Sequence, residues 1–507
     1  MRGKLFGVLL LIETMALLLT AAVSWFYHLK CGENDYPAFL ITAAITGSIG
    51  LILILVGKMR KTDIDNDDTF AIVSLSWILF SVFGMLPFLL SHSIDNVTDA
   101  FFETISGFTT TGSTILKNVD QQTHGILFWR AIMQWMGGLG VVVFTLAFVP
   151  KVTRGSKKAT LFAAEAPGMS VEKLSPSMHI TSRILWMIYI LFTLLCALMY
   201  ALGPMSIFDA ICHSFTTIST GGYSTHQNSI AYYQSDYIEY VAIAFMILSA
   251  INFSVYYFLL SGRWDIVGKN EEVHVFLISI VFMTLLFMGL FWLAPRFNGV
   301  TEQQLASYPQ GVKNTFETSL FHVVSMLSNT GFSARNYNYD LWGILFVIPT
   351  LLMQIVGGCA GSASGGVKMV RVIVIIKFIK NGLNELIHPV GMYSVKVSGQ
   401  SIDDVTIRRV INFFSWLILL LIINVIVLTS VGLSLEDASI AFLTCFSNLG
   451  LGSGVTGPFA SLADLPDVAK WILSGDMLLG RLEIITVLLV FFRSSWVTNR
   501  TVKNNVK

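Results

Sequence analysis

Four short segments of this 507-residue chain share one design, a polar tip carrying glycine behind an apolar stretch. They read Thr109-Thr110-Thr111-Gly112-Ser113-Thr114, Ser219-Thr220-Gly221-Gly222-Tyr223-Ser224, Ser328-Asn329-Thr330-Gly331-Phe332-Ser333 and Ser447-Asn448-Leu449-Gly450-Leu451-Gly452. Gly112, Gly222, Gly331 and Gly450 are spaced by 110, 109 and 119 residues, and 13 residues before each stands Asp99, Asp209, Thr318 or Asp437. The intervening apolar stretch predicts a half-helix that enters a membrane without crossing it. Asp or Thr at its head is expected to cap the free N–H groups and favour the positive dipole end. The glycine permits backbone conformations closed to other residues, so carbonyls can turn inward. Four helix C-termini sharing one focus would add negative potential there. The chemistry on offer is cation coordination by backbone oxygen.

Such half-helices need a scaffold, and composition identifies it. Hydrophobic residues make up 54% and charged residues only 12%, against about 25% charged in a soluble chain; mean hydropathy is +0.69. The formal charge of +1 offers no basic field for nucleic acid. The five cysteines, Cys31, Cys196, Cys212, Cys359 and Cys445, are scattered and form neither a disulfide framework nor a metal motif. Runs near the ~20 apolar residues that a crossing requires fall at about 5–27, 37–57, 70–90, 125–149, 183–203, 237–260, 273–294, 341–378, 410–432 and 470–492. The first is longer than a signal-peptide core and contains Glu13, so it reads as a span. With the N-terminus inside, 24 of the 32 Lys and Arg residues fall in cytoplasmic segments, which fixes the orientation.

The expected fold is an all-α integral membrane protein of about ten transmembrane helices plus four re-entrant pore half-helices. Residues 1–68 supply two extra N-terminal helices; the repeats occupy 69–180 with a cytoplasmic linker, 181–272, 273–404 and 405–507 with a cytoplasmic tail. Each repeat is span, half-helix loop, span, so all four loops enter from the outer face in the same orientation. Parallel repeats imply a pseudo-fourfold axis along the membrane normal, unlike the in-plane axis of inverted-repeat carriers. A central pore lined by carbonyls that replace an ion's water shell follows. Irregular backbone at that depth survives only inside protein or against water.

At these residues the chain resembles the Trk/Ktr/HKT superfamily of potassium transporters, and within it the TrkH-type membrane subunits. The likeness covers roughly 69–492, and the two extra N-terminal spans suit the TrkH branch. It implies K⁺ uptake through one subunit, a homodimer in the cell inner membrane with both termini cytoplasmic, and a cytosolic nucleotide-binding ring, TrkA-like, as regulator. It carries K⁺ selectivity onto Thr110, Thr111 and Gly112; Thr220, Gly221 and Gly222; Asn329, Thr330 and Gly331; and Asn448, Leu449 and Gly450. Glycine in all four copies is similar to the potassium-selective members. A Na⁺-permeable or ion-coupled relative of the same superfamily is the alternative. The basic stretches 151–183 and 368–409 are candidate docking surfaces for the ring, or ordinary positive-inside loops.

Between Gly357 and Gly366 lie five glycines, Gly357, Gly358, Gly361, Gly365 and Gly366, with Ser362 among them. In a helix interior each would cost nearly 1 kcal/mol relative to Ala, so an unwound segment just beneath the third loop is expected. The resemblance makes it a gate; close helix packing is the other reading. It is no phosphate loop, because Val367 displaces Lys368 from the required position and no strand precedes it. Arg481, in the last span, should face protein or water. The resemblance sets it in the pore opposite the Gly-rich segment, and an ion pair with Glu483 or Asp476 is the alternative. Gln134 and Gln354 follow their glycines by 22 and 23 residues, and Gln134 reads as packing against the pore wall. Glu103, His213 and His322, each 9 residues before a glycine, read as hydrogen-bonding groups behind the half-helices, a ring that tunes the potential at the loops being the alternative. An intramembrane enzyme would need a nucleophile–base or paired-carboxylate constellation, and the spans offer none in register.

Overall fold

A computed structural model describes residues 2–56, 66–152, 178–296, 301–302, 308–334, 342–389, 391, 393–457, 461–482, 484 and 487–488. Among the described residues the chain is all-α except for one small antiparallel hairpin, in which Lys396 pairs with Ser401 and Val397 with Gln400. Helices Arg2–Cys31 and Tyr36–Val56 pack along each other ahead of the repeats. Four cycles of span, short helix, span follow. The first comprises Asn66–Gly84, Val97–Phe108 and His124–Val152. The second comprises Met178–Ala201, Ile207–Ile218 and the pair Asp236–Ala250 and Phe253–Leu260. In the third, Glu271–Leu293 and Gly311–Leu327 precede Ile344–Ile355 and Met369–Ile387. The fourth is Asp404–Ser430, Leu435–Phe446 and Asp467–Leu482.

Among the described residues five helices are long and apolar enough to cross a bilayer unbroken: Phe6–Cys31, Tyr36–Val56, Arg183–Ala201, Glu271–Arg296 and Asp404–Ser430. Their exposed side chains include Leu55, Leu194, Phe282 and Ile426, a surface suited to lipid. The run 237–260, expected as one span, is instead broken by a 92° bend. Asn252 makes the break: its side chain accepts the Ser254 N–H at 2.8 Å and so restarts a helix in a new direction. The run 341–378 is broken as expected, with helix ending at Ile355 and resuming at Met369.

The short helices are capped differently from expectation. Asp209 and Asp437 occupy the third helical position, not the cap. Ser206 and Ser434 cap the second and fourth helices by accepting the N–H groups of Asp209 and Asp437 at 3.1 and 3.0 Å. Each serine hydroxyl donates back to its aspartate at 2.7 Å, a variant of the reciprocal capping box. Asn96 caps the first helix, with Asp99 in its first turn. Thr318 caps nothing, because the third helix starts earlier, at Gly311, and Thr318 lies buried within it.

Candidate functional site

Each short helix ends four residues before its glycine, at Phe108, Ile218, Leu327 and Phe446. Two residues before each glycine the backbone turns left-handed, with φ of 55° at Thr110, 53° at Thr220, 54° at Asn329 and 52° at Asn448. The next amide folds back onto the helix, Thr111 to Ser106, Gly221 to Thr216, Thr330 to Ser325 and Leu449 to Thr444, at 2.8–3.1 Å. This is the bonding pattern of a Schellman helix end. It uses up the amides and leaves the carbonyls of Thr111, Gly221, Thr330 and Leu449 directed away from their own helices.

Those four carbonyls meet the glycines of neighbouring repeats in a closed circle. A Cβ on Gly112 would overlap the Gly221 carbonyl oxygen, one on Gly222 that of Thr330, one on Gly331 that of Leu449, and one on Gly450 that of Thr111. Each overlap is well under the 3.0 Å that real Cβ atoms keep. The four glycines also share φ values of 71–86°. Two demands, no side chain and positive φ, therefore coincide at every copy. Among the described residues no hydrogen bond to the Thr111, Thr330 or Leu449 carbonyls is present, although all three residues are fully buried. Gly221 differs: Gln134 donates to its carbonyl at 2.6 Å and accepts the Tyr223 N–H at 3.1 Å. Gln134 thus does more than pack against the wall; it grips the second loop from the first repeat.

One side of the ring opens into a cavity lined by all four glycines together with Ser113, Tyr223 and Ser333. Its wall is braced by Arg130, which the sequence reading passed over. The Arg130 Nε donates to Glu103 at 2.8 Å with both side chains buried, and its guanidinium lies 4.0 Å from the Tyr223 ring centroid. Glu103 also accepts the Ile115 N–H at 2.8 Å, and Tyr223 donates to the Glu103 carbonyl at 2.9 Å. His213 contacts Ser224 at 3.0 Å, and His322 packs beside Phe287 and Trp342. Glu103 and His213 therefore hydrogen-bond behind the loops, as the sequence suggested, and His322 stands there within an aromatic cluster. The signal for Arg130 was available, since a cation in an apolar run asks for a partner.

At the cavity rim, His226 contacts Asp120 at 2.9 Å and lies 3.7 Å from Asp209. Burial works against its positive charge, but the two carboxylates outweigh it and raise its pKa above the ordinary 6.5. Burial likewise works against the Asp209 carboxylate, and hydrogen bonds from His226, Thr225 and Ser206 overcome it, lowering that pKa.

On the other side of the ring lies the Gly-rich segment. A Cβ on Gly357 would sit 2.7 Å from Asn329 Oδ1, and one on Gly365 2.8 Å from the Asn448 Cβ. Ser364 donates to Asn329 at 3.0 Å, so the segment touches the third and fourth loops directly. Gly357 N–H donates to Val367 at 2.8 Å and Val367 N–H to Ile355 at 3.0 Å, closing the segment on itself. Cys359 and Ala363 donate to Ala250 and Ser249, at the end of the helix before the 92° bend. Gly361, with φ of 76°, accepts the Phe253 N–H at 3.2 Å from the other side of that bend. Ser362 is buried and bonds within its own turn, to Cys359 at 2.6 Å. Gly358 and Gly366 complete the segment, the latter at φ 64° against Asn329. Arg481, buried, donates to the Ala363 carbonyl at 2.9 Å and to the Gly137 carbonyl at 3.1 Å. No ion pair joins it to Asp476 among the described residues, and Glu483 lies outside them. The predicted residues are thus brought into one column: cavity, ring, Gly-rich segment and Arg481.

The fold as a whole recurs in known proteins. The family described as TrkH, cation transport protein, matches residues 36–497. The chain belongs to the TrkH family. It is 33% identical to the Trk system potassium uptake protein TrkH of Salmonella typhimurium over 496 residues, covering 97% of this chain and 98% of that one. It is also 33% identical to the Trk system potassium uptake protein TrkG of Escherichia coli, covering 97% of each. The crystal structure of the potassium transporter TrkH from Vibrio parahaemolyticus superposes with a TM-score of 0.84 at 30% identity, over 98% of this chain and 99% of that one. This member of the TrkH family is therefore a multi-pass membrane transporter, with the four-repeat all-α architecture expected from its sequence.

Proposed function

We propose that the chain takes up K⁺ through a pore on the axis of the four loops, with the Thr111, Gly221, Thr330 and Leu449 carbonyls at its narrowest level. The observation that carries this reading is the closed circle of glycine-to-carbonyl contacts through all four repeats. The Thr111, Thr330 and Leu449 carbonyls, buried with no hydrogen-bond donor among the described residues, suit a dehydrated cation, since each replaces one water oxygen of its shell. Four helix C-termini directed at the ring add negative potential. Thr110, Thr220, Asn329 and Asn448 form the inner end of this filter. The names of the relatives, potassium uptake proteins, support K⁺ as the ion.

In this reading the Gly-rich segment is the gate. It lies directly beneath two loops, and Arg481 ties it to Gly137 across the path. A buried guanidinium there repels cations until it moves or is screened. Membrane potential drives entry, with both termini on the cytoplasmic side of the cell membrane. The working unit is a homodimer regulated by a nucleotide-binding ring, for which basic residues of 368–409 supply a docking face. The test is flux into proteoliposomes under an imposed potential. K⁺ and Rb⁺ should enter far faster than Na⁺; equal entry of K⁺ and Na⁺ would remove the carbonyl ring as a selectivity filter.

A further inference from the structure

Glu272 belongs to none of the motifs above, yet its carboxylate sits against the Gly-rich segment. It is 5% exposed, in the first turn of Glu271–Leu293. One oxygen, Oε1, accepts the Ala360 N–H at 2.8 Å and the Val370 N–H at 3.1 Å. Ala360 lies inside the Gly-rich segment, and Val370 lies in the first turn of the following helix, Met369–Ile387. A single carboxylate oxygen therefore pins both flanks of the stretch from Gly361 to Met369. It also satisfies an N–H that no helix of its own could bond, at a helix end that favours negative charge. Lys368 faces it from the segment, with its ammonium donating to the Ser364 carbonyl.

The adjacent residue extends the connection. Glu271 pairs with Lys377 of the same following helix and accepts the Ser398 N–H at 3.0 Å from the hairpin. Ser398 accepts the Glu271 N–H at 3.1 Å, and Lys377 donates to the Lys396 carbonyl at 2.7 Å. One helical turn thus holds the Gly-rich segment with one carboxylate and the hairpin with the next.

We propose that Glu272 is the latch that holds the Gly-rich segment against the underside of the ring, and that Glu271 links this latch to the hairpin at 396–401. Glu272 is a positioning residue and touches no ion. The inference rests on the gate reading only for its effect on flux. Cys359, fully buried within the segment, reports the latch independently.

The experiment uses the full chain in proteoliposomes, with N-ethylmaleimide labelling of each cysteine resolved by peptide mass spectrometry and Rb⁺ uptake measured in parallel. Glu272→Ala should speed labelling of Cys359 about tenfold or more, the scale of one lost charge-assisted hydrogen bond. Glu272→Gln keeps an acceptor oxygen and should give a smaller rise. The buried cysteines Cys196, Cys212 and Cys445 should label at the parent rate and report an intact fold. Unchanged Cys359 labelling in both variants would overturn the latch. If Glu272→Ala speeds all four cysteines it has unfolded, and Glu272→Gln then decides alone: a rise at Cys359 supports the latch and none overturns it. Faster Cys359 labelling with unchanged Rb⁺ uptake would keep the latch and remove the gate reading.

Discussion

Gly222→Ser places a side chain where the circle of contacts is closed. The added Cβ meets the Thr330 carbonyl oxygen within bonding range of a clash, and also the Thr330 and Gly331 carbonyl carbons at 3.2 and 3.3 Å. Overpacking of this kind costs about 1–3 kcal/mol. The left-handed backbone, φ 77°, adds roughly 1–2 kcal/mol for a residue with a Cβ. The strain of ~2–5 kcal/mol is relieved most directly by displacing the Thr330 carbonyl, because Gly222 is held by its neighbours on both sides. A tenfold change in ion preference corresponds to only ~1.4 kcal/mol, so the strain is ample to alter the ring. Gly262→Ser is the control: its φ is 73° and no atom lies within 4 Å of the added Cβ. It carries the same backbone penalty without touching the ring. The assay is the ratio of K⁺ to Na⁺ influx in proteoliposomes. Gly222→Ser should lower that ratio at least tenfold and Gly262→Ser should leave it at the parent value. A folded Gly222→Ser protein with parental selectivity would refute the reasoning.

Three further outcomes follow from the same geometry. Glu103→Gln leaves the Arg130 charge buried without its carboxylate and should cost about 3–5 kcal/mol, seen as a fall in thermal midpoint; the double change Glu103→Leu with Arg130→Met should recover much of it. Arg481→Met removes the bonds to Ala363 and Gly137 and the charge on the ion path, so Rb⁺ influx should rise by about tenfold or more with the K⁺/Na⁺ ratio unchanged; a fall in influx would count against a barrier role. His226, whose folded pKa is raised by Asp120 and Asp209 over the opposing effect of burial, contributes stability fully below the ordinary 6.5 and loses it as pH rises through the folded value. Protection of amides near residues 224–233, where Tyr232 and Tyr233 also face the imidazole, should therefore fall relative to the intrinsic exchange rate as pH rises above the ordinary 6.5, and His226→Gln should remove that step.

The repeats were legible because each had to solve one problem with the same residue. A glycine at positive φ against a neighbouring carbonyl admits no substitute, so its spacing survives in the sequence as a repeat. Cap positions were less legible, since Ser206 and Asp209 are both favoured residues three apart and sequence alone does not say which precedes the helix. The third half-helix was misplaced for another reason: no residue near Thr318 stops the helix, and its start is set at Gly311, φ 82°, after Pro309. The 92° bend was hidden by the apolar character of 237–260, although Asn252 followed by Ser254 was an available cap signal. The grip of Gln134 on the second loop, and Arg130 and Glu272 altogether, escaped because their partners lie 16 or more residues away, in other segments. Gly221 and Ala360, whose backbone they hold, carry no side-chain signature of the contact.

The most direct test of a cation path through the four loops is the anomalous signal of Rb⁺ in crystals of the full chain grown with Rb⁺ in place of K⁺. Density on the axis, level with the carbonyls of Thr111, Gly221, Thr330 and Leu449, is the expected result. Rb⁺ density at other sites, with none inside that ring, would contradict the central claim.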